Sequence, residues 1–471
     1  MAVLPLNCGP MGLPMIAIVG RPNVGKSTLF NRLIGKRYAI TSKVAGTTRD
    51  RIFHEAMMGS FTTILVDTGG LEFGKNFKNL EENVQEQARI GLSEADLLFF
   101  LIDATEPLTK SDLDAAQLLR KANKPIILIA HKVDNKLSKN HMDELVRLGL
   151  GEPLQLSSIH DIGVDELIRV TAARLKTEGF SPKKVKHGPE TRIAIVGRPN
   201  VGKSSIINGI IGEERLIVSD IQGTTIDATD TAMKVEDKEY VLIDTAGLRK
   251  RSKRGFGLEG LGGLRSLRAI SRCDVACLVV DWTSGLTSQD LHVSQYILEA
   301  GKGMIIIVNK VDQMESPEAD RKQFLRELQY KMNYVPWAPV LFTSALEKKN
   351  LNKILELSGK IQEERSKKIS DAAFTTFIKT TTVGHPPTRK GKAIRIMGGK
   401  QTDTCPPSFT ILCNKPELLH FSYKRYLENE LRRHFGFEGT SIEILVSERA
   451  PKKNAPKKLH VSKRVIKRRG R

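Results

Sequence analysis

Residues 20–27 read GRPNVGKS, and residues 197–204 read GRPNVGKS again. The same offset of 177 residues relates Gly46-Thr47-Thr48 to Gly223-Thr224-Thr225, and Asp67-Thr68-Gly69-Gly70 to Asp244-Thr245-Ala246-Gly247. Between Asp134 and Asp312 the offset becomes 178. Four motifs in one order at nearly constant spacing mean two copies of one domain. Each copy alternates short apolar runs with helix-like stretches. Met15–Val19, Phe61–Val66, Asp96–Ile102 and Pro125–Ala130 read as strands, and Ser27–Leu33 as a helix. Arg192–Val196, Tyr240–Ile243, Asp274–Val280 and Met304–Val308 repeat the strands. Alternation of this kind predicts an α/β fold, a mostly parallel sheet with helices on both faces. Ligands bind such sheets at the carboxyl ends of the strands, where every repeated motif falls.

GxxxxGK[ST] sets a glycine-rich turn between a strand and a helix, and its backbone N–H groups cradle phosphate oxygens. Gly20, Arg21, Pro22, Asn23, Val24, Gly25, Lys26 and Ser27 form the first such loop; Gly197, Arg198, Pro199, Asn200, Val201, Gly202, Lys203 and Ser204 form the second. Lys26 and Lys203 are expected on the β- and γ-phosphates, and Ser27 and Ser204 on Mg2+. Asp67 and Asp244 end apolar strands and are expected to hold the same ion. In the segments Asp67-Thr68-Gly69-Gly70-Leu71 and Asp244-Thr245-Ala246-Gly247-Leu248, Gly70 and Gly247 would let a backbone N–H approach the γ-phosphate. One hydroxyl from Thr47 or Thr48, and one from Thr224 or Thr225, would complete each Mg2+ shell.

Base choice rests on the segments His131-Lys132-Val133-Asp134 and Asn309-Lys310-Val311-Asp312. A carboxylate can accept from both N1 and N2 of guanine, and adenine offers no matching donors. Ser344 and Ala345 follow the strand Val340–Phe342 and would support the base by a backbone N–H. The first copy has His131 where an Asn that ties the loops together is expected, so its binding is expected to be weaker or less selective; Ser157-Ser158 in place of Ser-Ala is a milder change. Leu71 and Leu248 stand where Ras-like enzymes place a water-orienting Gln, so rapid hydrolysis needs an outside contribution. Asn23 and Asn200 could offer a side-chain oxygen to K+, which would neutralise charge developing on the phosphates.

The net charge is +21, and residues 449–471 carry eleven Lys or Arg and no acid. Nucleic acid is the expected partner of that excess. No apolar run reaches the roughly 18 residues of a membrane span. Five cysteines without CxxC spacing support neither a disulfide framework nor a zinc site, as in a reducing cytosol. A third unit, from about Ser370 to Glu448, has strand-like Ala393–Met397, Ser408–Leu412 and Ser441–Val446 and a helical Ser422–His434.

Tandem GRPNVGKS domains, followed by His385-Pro-Pro, Pro406-Pro-Ser-Phe409 and Ser422-Tyr-Lys-Arg-Tyr-Leu-Glu-Asn429, resemble the Der (EngA) family of bacterial GTPases. The resemblance implies GTP and GDP as ligands, Mg2+, hydrolysis stimulated by K+, and a C-terminal KH-like fold. It further implies a cytoplasmic protein acting on the large ribosomal subunit and its rRNA late in assembly; no membrane partner and a monomer are expected. The boundaries it suggests are an extension 1–14, GTPase domains 15–176 and 191–366 joined by a linker 177–190, a KH-like domain 367–448 and a basic tail 449–471. The GxxG loop of RNA-binding KH domains is absent from the third unit, where Gly398-Gly399-Lys400 is the nearest basic glycine loop. Lys424, Arg425, Arg432 and Arg433, with Lys463 and Arg464 in the tail, are the candidate RNA contacts; ordinary solvated charge is the alternative.

Overall fold

A computed structural model of the chain describes residues 13–34, 53–70, 87–89, 91–92, 95–122, 124–134, 142–182, 190–212, 217–218, 229–245, 259–389 and 392–448. The chain forms two compact units, residues 1–362 and 363–471.

The first unit holds two sheets. One contains β1 (Met15–Val19), β2 (Phe53–Met58), β3 (Phe61–Asp67), β4 (Leu97–Asp103), β5 (Ile126–His131) and β6 (Leu154–Leu156), in the order β2-β3-β1-β4-β5-β6. All neighbours are parallel except β2 and β3. The other contains β7 (Thr191–Val196), β8 (Ile217–Val218), β9 (Thr231–Val235), β10 (Lys238–Ile243), β11 (Val275–Asp281), β12 (Gly303–Asn309) and β13 (Val340–Phe342). Its order, β13-β12-β11-β7-β10-β9-β8, repeats the first with one short strand added. The helices are α1 (Lys26–Ile34), α2 (Lys110–Arg120), α3 (Met142–Val146) and α4 (Val164–Thr177) around the first sheet, and α5 (Lys203–Ile211), α6 (Glu259–Arg272), α7 (Ser288–Glu299), α8 (Pro317–Lys331) and α9 (Asn352–Ser366) after β7.

The central strands read as unbroken apolar runs because both of their faces are covered. On β1, Met15, Ala17 and Val19 enter one core while Ile16 and Ile18 enter the other. On β11, Ala276, Leu278 and Val280 face one core and Val275, Cys277 and Val279 the other. β2, at the sheet edge, and β9, between β10 and the two-residue β8, carry no such run (FHEAMM, TAMKV). Two-residue connections beginning with Gly59 (φ 63°) and Glu236 (φ 53°) return each antiparallel to its neighbour.

Side chains also join the two copies inside this unit. Asp96, just before β4, accepts the Met15 backbone N–H at 2.9 Å on one oxygen and Arg268 of α6 at 2.9 Å on the other. Leu267 of the same helix lies in the core formed by Met15, Ala95 and Leu98.

The second unit has α10 (Asp371–Gly384), a two-stranded ribbon of β14 (Thr388–Arg389) and β15 (Lys392–Ala393), then β16 (Ile396–Asp403), β17 (Ser408–Cys413), α11 (Phe421–Phe435) and β18 (Glu443–Ser447). β16 pairs antiparallel and β18 parallel with β17, so α11 is the crossover of a β-α-β unit. The core contains Phe374, Phe409, Ile411, Leu427, Leu431 and Phe437, with Phe374 stacked on Phe409 at 5.0 Å. Gly398 and Gly399 are strand, not loop. The pairing register shifts between Ile396 and Gly398, and a Cβ on Gly399 would stand 2.8 Å from Phe374 and 2.4 Å from the Thr410 carbonyl oxygen. The glycines therefore admit a bulge and the close approach of α10. Tyr423 donates its hydroxyl to the His385 carbonyl at 2.7 Å, so His385 packs at the end of α10.

Candidate functional site

Each phosphate loop runs from the end of the first strand of its sheet into the following helix, between β1 and α1 and between β7 and α5. Asn23 and Asn200 hold left-handed backbone at φ 67° and 65°, a conformation Asn tolerates, and both are exposed. The Lys26 ammonium donates to the carbonyls of Gly20 and Arg21, each at 2.8 Å. Lys203 donates likewise to Gly197 at 2.8 Å and to Arg198. Burial lowers Lys26 to about 8, against the opposing pull of Asp67.

Ser27 Oγ donates to Asp67 Oδ2 at 2.7 Å. A hydroxyl and a carboxylate thus meet beside the lysine, a hard-oxygen pair suited to Mg2+. Among the described residues no three acidic, His or Cys side chains gather into a metal site. An ion held by one or two protein oxygens plus substrate phosphates fits that donor set. In the second copy Asp244 stands at φ 58°, and its backbone N–H donates to Asp230 at 3.0 Å. Asp230 is in turn paired at 2.5 Å with Arg272, at the end of α6. Thr47, Thr48, Leu71, Thr224, Thr225, Ala246, Gly247 and Leu248 lie outside the described residues.

The base-reading loops follow β5 and β12. Asn309 Nδ2 donates to the Val201 carbonyl at 2.9 Å, and Asn309 Oδ1 accepts from Ala345 N at 3.2 Å and Thr343 Oγ1 at 3.3 Å. One side chain so ties the phosphate loop to both loops around the base. His131 occupies the same place: Nδ1 lies 2.8 Å from the Val24 carbonyl and Nε2 lies 2.7 Å from Ser158 Oγ. Both loops approach so closely that a Cβ on Gly25 would stand 2.4 Å from the His131 ring, and one on Gly202 2.2 Å from Asn309. Ser344 Oγ donates to Asp312 at 2.5 Å. A hydrogen bond from Ser157 lowers Asp134, and His160 stands 3.4 Å from it.

Two pairs of side chains, absent from the motifs, hold this machinery in both copies. Buried Asp112 accepts Arg21 Nε at 3.1 Å, Thr109 N at 3.0 Å and Thr109 Oγ1 at 2.7 Å. Buried Asp290 accepts Arg198 Nε at 3.0 Å, Thr287 N at 3.0 Å and Thr287 Oγ1 at 2.8 Å. One carboxylate caps a helix and clamps the phosphate-loop arginine. Asp103 and Asp281, ending β4 and β11, each bind the lysine of the base loop, Lys132 and Lys310. Burial acts to raise both carboxyls, but the lysine and a neighbouring threonine outweigh it and hold both below the usual range. Lys132 and Lys310 take left-handed φ values of 64° and 66°. The signals were present: T-x-x-D is a capping pattern, and Asp103-Ala-Thr105 recurs as Asp281-Trp-Thr283.

Of the candidate RNA contacts, Arg425 and Arg433 are exposed and Lys424 is half-buried. Arg432 is not free to meet a phosphate. Its guanidinium donates to the Phe437 carbonyl at 2.5 Å, the Thr440 carbonyl at 2.8 Å and Glu428 at 3.0 Å, fixing the loop between α11 and β18. Lys463 and Arg464 lie outside the described residues.

A family described as 50S ribosome-binding GTPase matches residues 15–132 and 192–310. The KH-domain-like C-terminal region of EngA bacterial GTPase enzymes matches residues 368–446. A protein named GTPase Der from Desulforamulus reducens is 40% identical over 444 residues, covering 94% of this chain and 100% of its own. Its namesake from Thermomicrobium roseum is 42% identical over 447 residues, 93% of this chain and 97% of its own. That from Caldanaerobacter subterraneus is 42% identical over 442 residues, 93% and 99%. Two duplicated phosphate-and-base loops, a KH-like unit after them in sequence and relatives alike over nearly the whole length agree: the chain belongs to the Der (EngA) family of GTPases, and it hydrolyses GTP.

Proposed function

We propose that the chain is a GTP-driven switch acting in late assembly of the large ribosomal subunit, as a cytoplasmic monomer. The observation that carries this reading is the pairing of two guanine-nucleotide sites with a KH-like unit whose α11 exposes Arg425 and Arg433. In each site Lys26 or Lys203 turns from its backbone carbonyls to the phosphates. Ser27 with Asp67, and Ser204 with Asp244, hold Mg2+, joined by a threonine from the pairs Thr47-Thr48 and Thr224-Thr225. Asp134 and Asp312 read guanine, and the segments through Gly70 and Gly247 sense the γ-phosphate. Asn23 and Asn200 would hold K+, whose charge would offset that developing on the phosphates where neither copy has a water-orienting glutamine. Lys424, Arg425 and Arg433, with Lys463 and Arg464, contact rRNA.

Sedimentation with ribosomal subunits in GTP-analogue, GDP and nucleotide-free states tests the role. Co-migration with the large subunit in one state is expected; a protein that ignores ribosomal particles in all three would falsify it. Turnover measured with K+ and then with Na+ tests the cation, and equal rates would remove potassium from the scheme.

A further inference from the structure

The first site keeps its brace by moving a hydroxyl. In the second site the acceptor oxygen of Asn309 takes hydrogen bonds from Thr343 Oγ1 and Ala345 N. Ser157 and Ser344 make equivalent bridges, to Ile162 and Lys349, so Leu156 stands where Thr343 stands and Ser158 where Ala345 stands. Leu156 has no hydroxyl. The imidazole of His131 reaches further than an asparagine amide, and the backbone N–H of Ser158 is 3.4 Å from Nε2, a long contact. The Ser158 hydroxyl closes that gap at 2.7 Å. His131 and Ser158 are both buried, 3% and 4% exposed, so neither can look to solvent for a partner. A neutral imidazole with its proton on Nδ1 donates to Val24 and accepts from Ser158, matching the donor–acceptor polarity of Asn309.

We propose that His131 and Ser158 are a compensated pair of positioning residues, through which the first site retains guanine-nucleotide binding despite lacking the usual asparagine. The proposal rests on the reading of residues 20–27 and 131–134 as a nucleotide site. It differs from the expectation drawn from His131 alone, because the loss at position 131 is offset at position 158.

The test uses the full chain carrying Lys203→Ala, so that fluorescent GDP reports the first site. Ser158→Ala is expected to weaken GDP about tenfold, since a buried acceptor loses its close donor. The triple change His131→Asn, Leu156→Thr, Ser158→Ala copies the second site's brace and is expected to return affinity to within about threefold of the starting chain. Nitrogen chemical shifts of His131 are expected to show the Nδ1–H tautomer, and loss of Ser158 to move them. In a Lys26→Ala chain, Ser158→Ala should leave the second site's affinity unchanged, separating a local effect from misfolding. Unchanged GDP affinity on Ser158→Ala, or an Nε2–H tautomer, overturns the brace alone. Absence of GDP binding by the first site before any change at 158 overturns the site reading, and the brace with it.

Discussion

Replacing Asp290 with alanine probes the clamp that the motifs omit. The side chain is fully buried and accepts three hydrogen bonds, two from Thr287 at the start of α7 and one from Arg198 in the phosphate loop. Losing a helix cap costs about 1 kcal/mol. Breaking a buried ion pair costs about 3–5 kcal/mol. Arg198 remains 18% exposed and keeps a second partner in Ser284, so solvent screening brings the cost below that range, to about 2–3 kcal/mol. The total for Asp290→Ala is then about 3–4 kcal/mol, measured by urea denaturation. Asp290→Asn retains size and an acceptor for Thr287 while removing the charge, and should fall between. A double-mutant cycle with Arg198→Met should give a coupling of about 2 kcal/mol. Because Lys203 rests on the Arg198 carbonyl, GDP affinity at the second site should fall as well. Asp112→Ala should behave alike in the first copy, and the two losses should add, since they share no partner. A loss under about 1 kcal/mol, or zero coupling, would show that the arginine is held by something else.

Burial lowers the pKa of His131, with the Val24 carbonyl, Asp103 and Asp134 opposing and Lys132 assisting. The unfolded chain therefore takes up this proton first: stability is full above about pH 6.5 and declines below it, by at most about 1.4 kcal/mol per pH unit, until the folded pKa is reached. Urea titrations from pH 8 to 5 should show a slope in the parent that His131→Asn lacks; identical slopes refute it. Arg432→Gln should destabilise the second unit by about 1.5–3 kcal/mol, whereas Arg425→Ala should stay within about 0.5 kcal/mol and instead reduce the salt dependence of RNA binding by about one phosphate contact. The reverse pattern would return Arg432 to the RNA surface. Arg268→Gln removes a partly exposed ion pair worth about 1 kcal/mol or less, so global stability should barely move while hydrogen exchange near Ala95–Leu97 rises; unchanged exchange would mean that apolar packing around Leu267 suffices.

The parallel core was legible because strands covered on both faces carry their own apolar signal, and β1 and β13 match their expected spans. β2 and β9 were not legible, since a strand at or next to the sheet edge needs neither a continuous run nor regular alternation when a short hairpin connection brings it to its neighbour. Gly398-Gly399-Lys400 looked like a loop because glycine is usually punctuation; only the packing of Phe374 over Gly399 explains a strand there. The lysines, serines and aspartates expected at phosphate, metal and base could be named from the motifs, whereas the residues that hold them could not. Asp112 and Asp290 lie about ninety residues from the arginines they clamp, and only the fold joins them. Arg432 looked like an RNA contact for a related reason: charge is visible in a sequence, but the carbonyls of Phe437 and Thr440 that take its donors are not.

Duplication turns the chain into its own comparison. What the copies share beyond the motifs, the Asp103 and Asp281 pairings and the Asp112 and Asp290 clamps, is what positioning two phosphate loops in two different surroundings required. Where they differ, a bare motif comparison reads His131 as a loss, because it weighs one position at a time. Hydrogen-bond satisfaction is a property of the whole buried cluster, and the cluster of His131, Leu156 and Ser158 exchanges donors with the cluster of Asn309, Thr343 and Ala345 without changing the two connections made. A departure at a motif position therefore speaks to function only after the partners of the replaced side chain have been traced, and here those partners changed with it.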